Sequence, residues 1–205
     1  MHYELILQKK GYHFIAGIDE AGRGAWAGPL FVGAVILPLG ELKKFKGVGD
    51  SKKLTAEKRE ICAKTIKKYC VAWAIGRVES GEIDSLGLQN AHLLAVERAV
   101  LGLGIMPDYV LVDRIAKVKF PMPFENVIKG DDKFISVGAA SIMAKVERDA
   151  EMSELENKYP NYHFKEHKGY GTGEHMDEIA KFGLCDLHRR LFSPIKEIDK
   201  KMQLF

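Results

Sequence analysis

Apolar residues in this chain come in two rhythms. Short, nearly continuous runs fill residues 14–19, 29–37, 71–78 and 109–112, and these read as strands. Elsewhere the spacing stretches to three and four, the period of a helix with one buried face. A short helix is predicted at residues 5–10. Thr55 caps another that runs to about Tyr69, with Lys58 where a capping box would carry Glu. Ser80 precedes one long helical pattern through Leu88, Leu93, Leu94, Val96 and Val100, closed by Gly102 and Gly104. A further helix is predicted from about residue 135 to 158, stopped before Pro160. Weaker ones are predicted at residues 174–181 and 194–201. Strands followed by alternating helix and strand predict an α/β domain, a class that places its sites at strand ends.

Length and composition narrow the picture without deciding it. The 205 residues suggest one domain with enough apolar residues for a full core, in an ordinary soluble globular composition. The longest apolar stretch, residues 31–39, is interrupted by Pro38 and is too short to span a bilayer, so no membrane partner is expected. The N-terminus begins no signal peptide. Cys62, Cys70 and Cys185 form neither close-spaced ligand pairs nor an even disulfide set, which predicts free thiols in a reducing cytoplasm. The net charge of +3 is too small to argue nucleic-acid binding. Its distribution says more, because ten basic residues between Lys43 and Lys68 face only Asp50, Glu57 and Glu60. Such a patch is either a phosphate-backbone footprint or a solvated helix face.

The chemistry concentrates in acids. Asp19 and Glu20 end an apolar strand and lead into the turn Gly22-Arg23-Gly24. An unpaired buried carboxylate is costly, so this pair calls for a cation, with a divalent metal the natural candidate. Glycines let the backbone approach a ligand, and Arg23 adds positive charge beside it. Asp113 directly follows a second strand, and Asp131 opens a helix after Val127-Ile128-Lys129-Gly130. Taken singly, Asp113 reads equally as a salt-bridge partner of Arg114 or another base, and Asp131 as a helix-entry acid. Taken together, the four could converge, and two Mg²⁺ ions about 4 Å apart would satisfy such a cluster and clamp a phosphodiester.

Seven ordered motifs carry a resemblance. Asp19-Glu20-Ala21-Gly22-Arg23-Gly24 with Ala27-Gly28-Pro29 comes first, then Asp50-Ser51-Lys52-Lys53-Leu54. Val112-Asp113, Lys129-Gly130-Asp131 and the stretch from Ala139-Ala140-Ser141 through Lys145 to Arg148-Asp149 follow. His167-Lys168-Gly169-Tyr170-Gly171-Thr172 and His188-Arg189-Arg190 close the set. In this order they resemble the bacterial type of ribonuclease HII over about residues 14–195. Arg23 in the turn favours that type over the related ribonuclease HIII.

The resemblance implies an RNase H-like α/β fold: a mixed five-stranded sheet flanked by helices, with a C-terminal helical extension. Residues 1–205 would form one catalytic domain, of which about 160–205 is that extension. It implies a metal-dependent endonuclease that cuts 5′ of ribonucleotides in RNA/DNA hybrids, or of a single ribonucleotide embedded in duplex DNA. The ends would be 3′-hydroxyl and 5′-phosphate. By motif, Asp19, Glu20, Asp113 and Asp131 correspond to the metal-binding catalytic acids, Asp131 being favoured over its neighbour Asp132. Gly22, Arg23 and Gly24 correspond to the ribonucleotide-reading turn, and Tyr170 to a tyrosine that stacks on the junction sugar. The cofactor would be two divalent ions, Mg²⁺ or Mn²⁺, in an all-oxygen site. The 2′-hydroxyl that separates RNA from DNA is a group such a turn can read.

The basic motifs then suggest backbone contacts. Ser51, Lys52 and Lys53 would hold phosphates. Ser141, Lys145 and Arg148 fall at i, i+4 and i+7, so one helix face would meet the duplex. The alternative for that face is pairing with Glu147, Asp149 and Glu151. Lys168 is a further candidate contact. Two positions depart from the family pattern: Ala25-Trp26 after the turn, and Arg114 after the third acid.

Other readings compete. His163, His167, His175, Cys185 and His188 crowd one region, and His163-x-x-x-His167 has the spacing of zinc ligands, although packing or nucleic-acid contact is the plainer reading. A non-catalytic hybrid-binding protein on the same fold is a second alternative, which the intact acids oppose. The partner expected is nucleic acid and the expected state is a monomer. The C-terminal Met202-Gln203-Leu204-Phe205 faintly resembles peptides that dock on sliding clamps, but it is short and misses positions, and an ordinary apolar tail is the plainer reading.

Overall fold

The computed structural model describes residues 2–49 and 51–202, with Lys52 and Met202 described by backbone alone. Asp50, the Lys52 side chain and the last three residues, on which the clamp reading falls, lie outside what it describes. In chain order the elements are α1 (Tyr3–Lys9), β1 (Ile15–Ala21), β2 (Leu30–Ile36), α2 (Ala56–Tyr69) and β3 (Ala72–Val78). Then come α3 (Ser80–Leu86), α4 (Leu88–Gly102), β4 (Tyr109–Asp113), β5 (Phe124–Val127) and α5 (Gly130–Lys133). The chain continues through α6 (Ile135–Lys158), α7 (Phe164–His167), α8 (Gly173–Phe182) and α9 (Ile195–Met202), with short 3₁₀ turns at Leu39–Phe45 and Ser51–Lys53.

The strands form one mixed sheet in the order β3-β2-β1-β4-β5. β1 runs antiparallel to β2 and parallel to β4, and β4 parallel to β5. The parallel register pairs Ile18 with Val112, so Asp19 and Asp113 fall on the next rung, side by side at the carboxyl ends of the two strands. Asp113 in turn pairs with Val127 at the end of β5, three residues before α5. The sheet thus gathers at one edge three acids that are far apart in sequence.

Two helices cover opposite faces. Ala16, Ile18, Val32, Ala34, Val110 and Val112 pack against Ala91, Ala95 and Ala99 of α4. On the other face lies α6, with Ala139, Ala140, Ile142 and Met143 buried. α6 approaches closely because β1 and β2 place glycines beneath it: a Cβ on Gly17 would strike the Ser136 and Val137 backbone, and one on Gly33 the Ala140 carbonyl. Buried Glu4 of α1 accepts hydrogen bonds from Ser136 N at 3.0 Å and Ser136 Oγ at 2.8 Å, satisfying a donor in the first turn of α6.

Most elements lie where their patterns predict. Thr55 Oγ1 accepts from Lys58 N, as a cap should. The helix expected from Ser80 to Gly102 breaks in two at Gly87, whose φ of +75° cannot continue a right-handed helix. The hydrophobic period carries across that break, which is why spacing alone joins the two. Asp131 does not precede the long helix directly but sits in the single turn of α5.

Candidate active site

Strand geometry divides the first acid pair. Successive residues point to opposite faces of a sheet, and β1 continues as a strand through Ala21. Asp19 therefore faces α6. The residue is 7 % exposed and its carboxyl takes a hydrogen bond from Ser141, while its Oδ1 accepts from Glu20 N at 2.8 Å. Glu20 faces α4, where its Oε2 lies 3.6 Å from Nε2 of buried His92. The strand neither ends nor twists there to bring the pair to one side.

Asp19 meets Asp113 and Asp131 instead, with one oxygen from each lying within 4.8 Å of the others. Backbone N–H groups aim two more of these carboxyls: Gly130 N donates to Asp113 at 3.0 Å and Asp132 N to Asp131 at 3.1 Å. Asp131 is buried, whereas Asp132 is exposed and pairs with Lys53 at 2.6 Å, which separates the two adjacent candidates. Burial, then the charge of Glu20, holds the Asp19 carboxyl well above the usual carboxylate range. Hydrogen bonds from Ser141 and Glu20 N oppose the rise, and Asp113 adds to it. Three carboxyls this close need a positive counter-charge, and an all-oxygen donor set suits Mg²⁺ or Mn²⁺.

Above this floor opens a cleft of about 580 Å³. Asp19 and Glu20 line its base, the Gly22-Arg23-Gly24 turn one rim, and Lys145 and Tyr170 another. Gly22 has φ +83°, and a Cβ there would collide with the Arg148 guanidinium. Arg23 is exposed. Ser51 and Ser141 also line the cleft, but both are buried and their hydroxyls lie 2.8 Å apart. Ser141 donates to Asp19, so Ser51 donates to Ser141. Both hydroxyls are spent on orienting the acid.

The helix face carrying Ser141, Lys145 and Arg148 does not meet solvent as a unit. Arg148 is fully buried; its Nε donates to Pro29 O at 2.9 Å and its Nη2 to Ala27 O at 3.3 Å. It is a brace behind the turn rather than an outward contact. The cause is the depth at which α6 lies on the sheet, which the helical period does not report. Buried Arg189 braces the same loop through Gly28 O and Arg23 O. Lys145 pairs with Asp149 at 2.7 Å, and Lys168 is half-buried, donating to Asp149 O and Ser153 Oγ. The Lys145–Asp149 pair is the alternative given above for this helix face.

Three residues of the site escape a reading of sequence. His92 sits on α4 under Glu20, and burial, then the charge of Arg23, pulls its pKa down to about 4. Arg59 donates to the Ser51 and Leu54 carbonyls, fixing the loop below the cleft. Phe192 lines the cleft from the C-terminal segment. Only the amphipathic spacing of α4 and α2 hinted at the first two. Of the departures, Trp26 packs where a Cβ on Gly171 would otherwise go. Arg114 leaves Asp113 and lines a neighbouring hollow with Arg23 and Asn126.

The chain's relatives give its family. The family model described as Ribonuclease HII matches residues 16–195. The chain belongs to the ribonuclease HII family. The ribonuclease HII of Myxococcus xanthus is 45% identical over 198 residues, 96% of this chain and 67% of that protein. That of Nitrosococcus oceani is 47% identical over 182 residues, 89% and 90% of the two chains. Among solved structures, the ribonuclease H2 of Pyrococcus horikoshii OT3 superposes with a TM-score of 0.75 at 27% identity, covering 92% of this chain and 98% of that one. The RNase HII of Archaeoglobus fulgidus, solved as a PCNA:RNase HII complex, gives 0.71 at 29% identity, over 86% and 93%. Bst-RNase HIII in complex with Mn²⁺ shares the fold, with a TM-score of 0.70 at 18% identity over 98% and 74%. Membership of the ribonuclease HII family makes this protein a hydrolase, an endoribonuclease of the RNase H type. No helix among the described residues is long and apolar enough to cross a membrane.

The histidines that suggested zinc form a hydrogen-bond chain instead. His175 Nε2 meets His188 Nε2 at 3.1 Å, while the Cys185 thiol lies against His188 Nδ1, the opposite nitrogen. No set of these side chains converges on one point. A separate surface group, His163, Glu174 and Glu178, brings ligand atoms within 4.8 Å. Its Glu178 already accepts from His163 and His167.

Proposed function

We propose that this protein hydrolyses the phosphodiester on the 5′ side of ribonucleotides, both in RNA/DNA hybrids and where a single ribonucleotide is embedded in duplex DNA. The products are 3′-hydroxyl and 5′-phosphate ends. One observation carries the reading: Asp19, one member of the three-carboxylate cluster, lines the same cleft as a positive-φ glycine turn and an aromatic ring. Asp19, Asp113 and Asp131, with Glu20 at the side, would hold the divalent ions. Mn²⁺ in the HIII relative and the oxygen donors here support Mg²⁺ or Mn²⁺. Bound there, such ions lower the pKa of an attacking water and stabilise the departing 3′-oxygen.

The chain's own groups then divide the work. Backbone groups of Gly22 and Gly24 reach the 2′-hydroxyl without side-chain bulk. The Arg23 guanidinium takes a phosphate beside it. The Tyr170 ring lies against the neighbouring sugar and tests its position. Lys145, Lys52 and Lys53 contact the duplex backbone, while Ser51 and Ser141 serve through Asp19. Arg148 and Lys168 act from behind, through the loops they brace. The 205 residues work as one catalytic unit, as a monomer in the cytoplasm, in removing ribonucleotides from DNA. The PCNA complex of the archaeal relative supports a sliding clamp as a partner, reached through the C-terminal residues.

The test is a labelled DNA duplex with one ribonucleotide, incubated with Mg²⁺ or EDTA beside an Asp131→Asn variant. A metal-dependent nick 5′ to the ribonucleotide, lost in the variant, is expected. Tight binding without a nick in Mg²⁺ or Mn²⁺ would instead favour the non-catalytic hybrid binder.

A further inference from the structure

The ring of Tyr170 reaches the cleft from a short loop, and the backbone of that loop is held by imidazoles whose tautomers the geometry dictates. His188 Nδ1 lies 3.0 Å from Cys185 N and farther, 3.3 Å, from Cys185 O, so the nearer N–H sets its role. A backbone N–H can only donate, so Nδ1 accepts and the His188 proton sits on Nε2. Nε2–H donates to His175 Nε2 at 3.1 Å. The His175 proton is then on Nδ1, which donates to the Tyr170 carbonyl at 3.0 Å. A second line runs beside the first. Gly169 N donates to His167 Nδ1 at 3.1 Å, so the His167 proton is on Nε2 and donates to Glu178 at 3.0 Å. The His167 and His175 rings stack with centroids 4.2 Å apart and planes within 14°. All three imidazoles are buried.

We propose that His175 and His167 are positioning residues for Tyr170: two stacked, tautomer-locked imidazoles that clamp the 169–170 backbone and so aim the tyrosine ring into the cleft. The inference rests on the ribonuclease reading for its consequence, not for its geometry. Neither histidine touches substrate. Each bonds a backbone group on either side of the Gly169–Tyr170 peptide, one accepting an N–H and the other donating to a C=O. The peptide between them is itself held, Gly169 O accepting from Trp26 N at 2.8 Å and Tyr170 N donating to His167 O at 2.9 Å, so the whole 169–170 backbone is fixed by hydrogen bonds. Burial keeps His175 and His188 uncharged, with pKa values pulled down to about 4, so the chain stays neutral where the enzyme works.

The side-chain amides of Asn and Gln separate the two ring nitrogens, Asn standing in for Nδ1 and Gln for Nε2. His175→Asn keeps a donor for Tyr170 O; His175→Gln places its amide towards His188 and loses that donor. The full chain labelled with ¹⁵N-histidine is measured first. At neutral pH the expected tautomers are Nδ1–H for His175 and Nε2–H for His167 and His188. Ring ¹³C relaxation then reports Tyr170, expected to be rigid in the parent and His175→Asn but mobile in His175→Gln. On the single-ribonucleotide duplex, His175→Gln should lower kcat about tenfold with little change in KM, and His175→Asn should restore most of it. In a Tyr170→Ala background, His175→Gln should do nothing more.

Opposite tautomers, or an unchanged Tyr170 ring in His175→Gln, would overturn the clamp. So would an equal loss of kcat with and without Tyr170, which would mark the histidines as structural only. A parent protein that nicks no ribonucleotide while Tyr170 still loosens on His175→Gln would overturn the ribonuclease reading and leave the clamp standing.

Discussion

The floor and the wall of the cleft solve opposite electrostatic problems. The floor crowds Asp19, Asp113 and Asp131 together, with burial and Glu20 pushing Asp19 up in pKa. The wall behind Tyr170 crowds His167, His175 and His188 together with their nitrogens used in pairs. Like charges at the floor call for a cation from outside the chain. On the wall, His175 and His188 avoid charge, because each neutral imidazole is both a donor and an acceptor. The floor is therefore unstable alone and completed by binding, whereas the wall is complete in the free protein. Under the proposed function one cleft would hold metal and measure a sugar, and the two regions would separate those tasks.

The difference can be broken at its strongest point with Asp19→Asn. Nicking should fall by about 10³-fold, near 4 kcal/mol of barrier. Yet the metal-free variant should melt higher than its parent, because a costly buried charge is gone. The sign with pH follows from the raised folded pKa. Parent and variant should be equally stable below the ordinary value of 3.8, and the gain should be complete above the raised folded value. Thermal melts in EDTA at several pH values decide it. A lower melting temperature would mean the floor is not strained.

The wall should show the opposite dependence. His175 and His188 have folded pKa values of about 4, as has His92 outside the wall, against 6.5 for a free imidazole. Between those values the unfolded chain binds more protons. Stability is thus fully present above pH 6.5 and falls as pH drops towards 4, by about 1.4 kcal/mol per unit for each group. Facing His175 are His167, His188 and, through His167, Glu178. Denaturant titrations from pH 7.5 to 4.5 should show the decline, and His175→Asn should make it shallower. A flat profile would contradict neutral burial.

The turn between floor and wall gives a smaller effect. Gly22→Ala puts a side chain at φ +83° against Arg148, and should cost about 1–3 kcal/mol of stability, read from urea midpoints, together with most of the nicking. Lys145→Ala should be the mildest. It removes an i,i+4 pair with Asp149 worth about 0.3–0.5 kcal/mol. Duplex binding should weaken equally for ribonucleotide-containing and plain DNA, with a salt slope shallower by about one, in titrations at two or more salt concentrations. Loss of ribonucleotide preference would move Lys145 from the backbone to the reading of the sugar.

Much of the fold is legible along the chain because burial repeats with the period of the local element. Helix α6 has its predicted limits, and every strand but β5 has close to its predicted ones. β5 carries an alternation too short to stand out. The break at Gly87 is invisible for the converse reason, since α3 and α4 bury a continuous apolar row. Within the site, motif order placed Asp19, Asp113 and Asp131 on a common floor. It did not separate Glu20 from Asp19, nor show that Arg148 points inward. Both depend on which helix lies over which face of the sheet.

The sequence alone determined the spacing of acids along the strands, the glycines of the turn and the identities of the histidines. These are covalent facts, expressed within a few residues as strand ends, a positive φ and ring nitrogens. The tertiary structure decided what each group faces. Parallel pairing set Asp19 beside Asp113, α4 and α6 took opposite sides of β1, and packing across 13 to 21 residues of chain joined His175 to His188 and Tyr162 to Gly183. Charge is tolerated or refused, and a proton settles on one nitrogen or the other, according to neighbours that only the folded chain brings within reach.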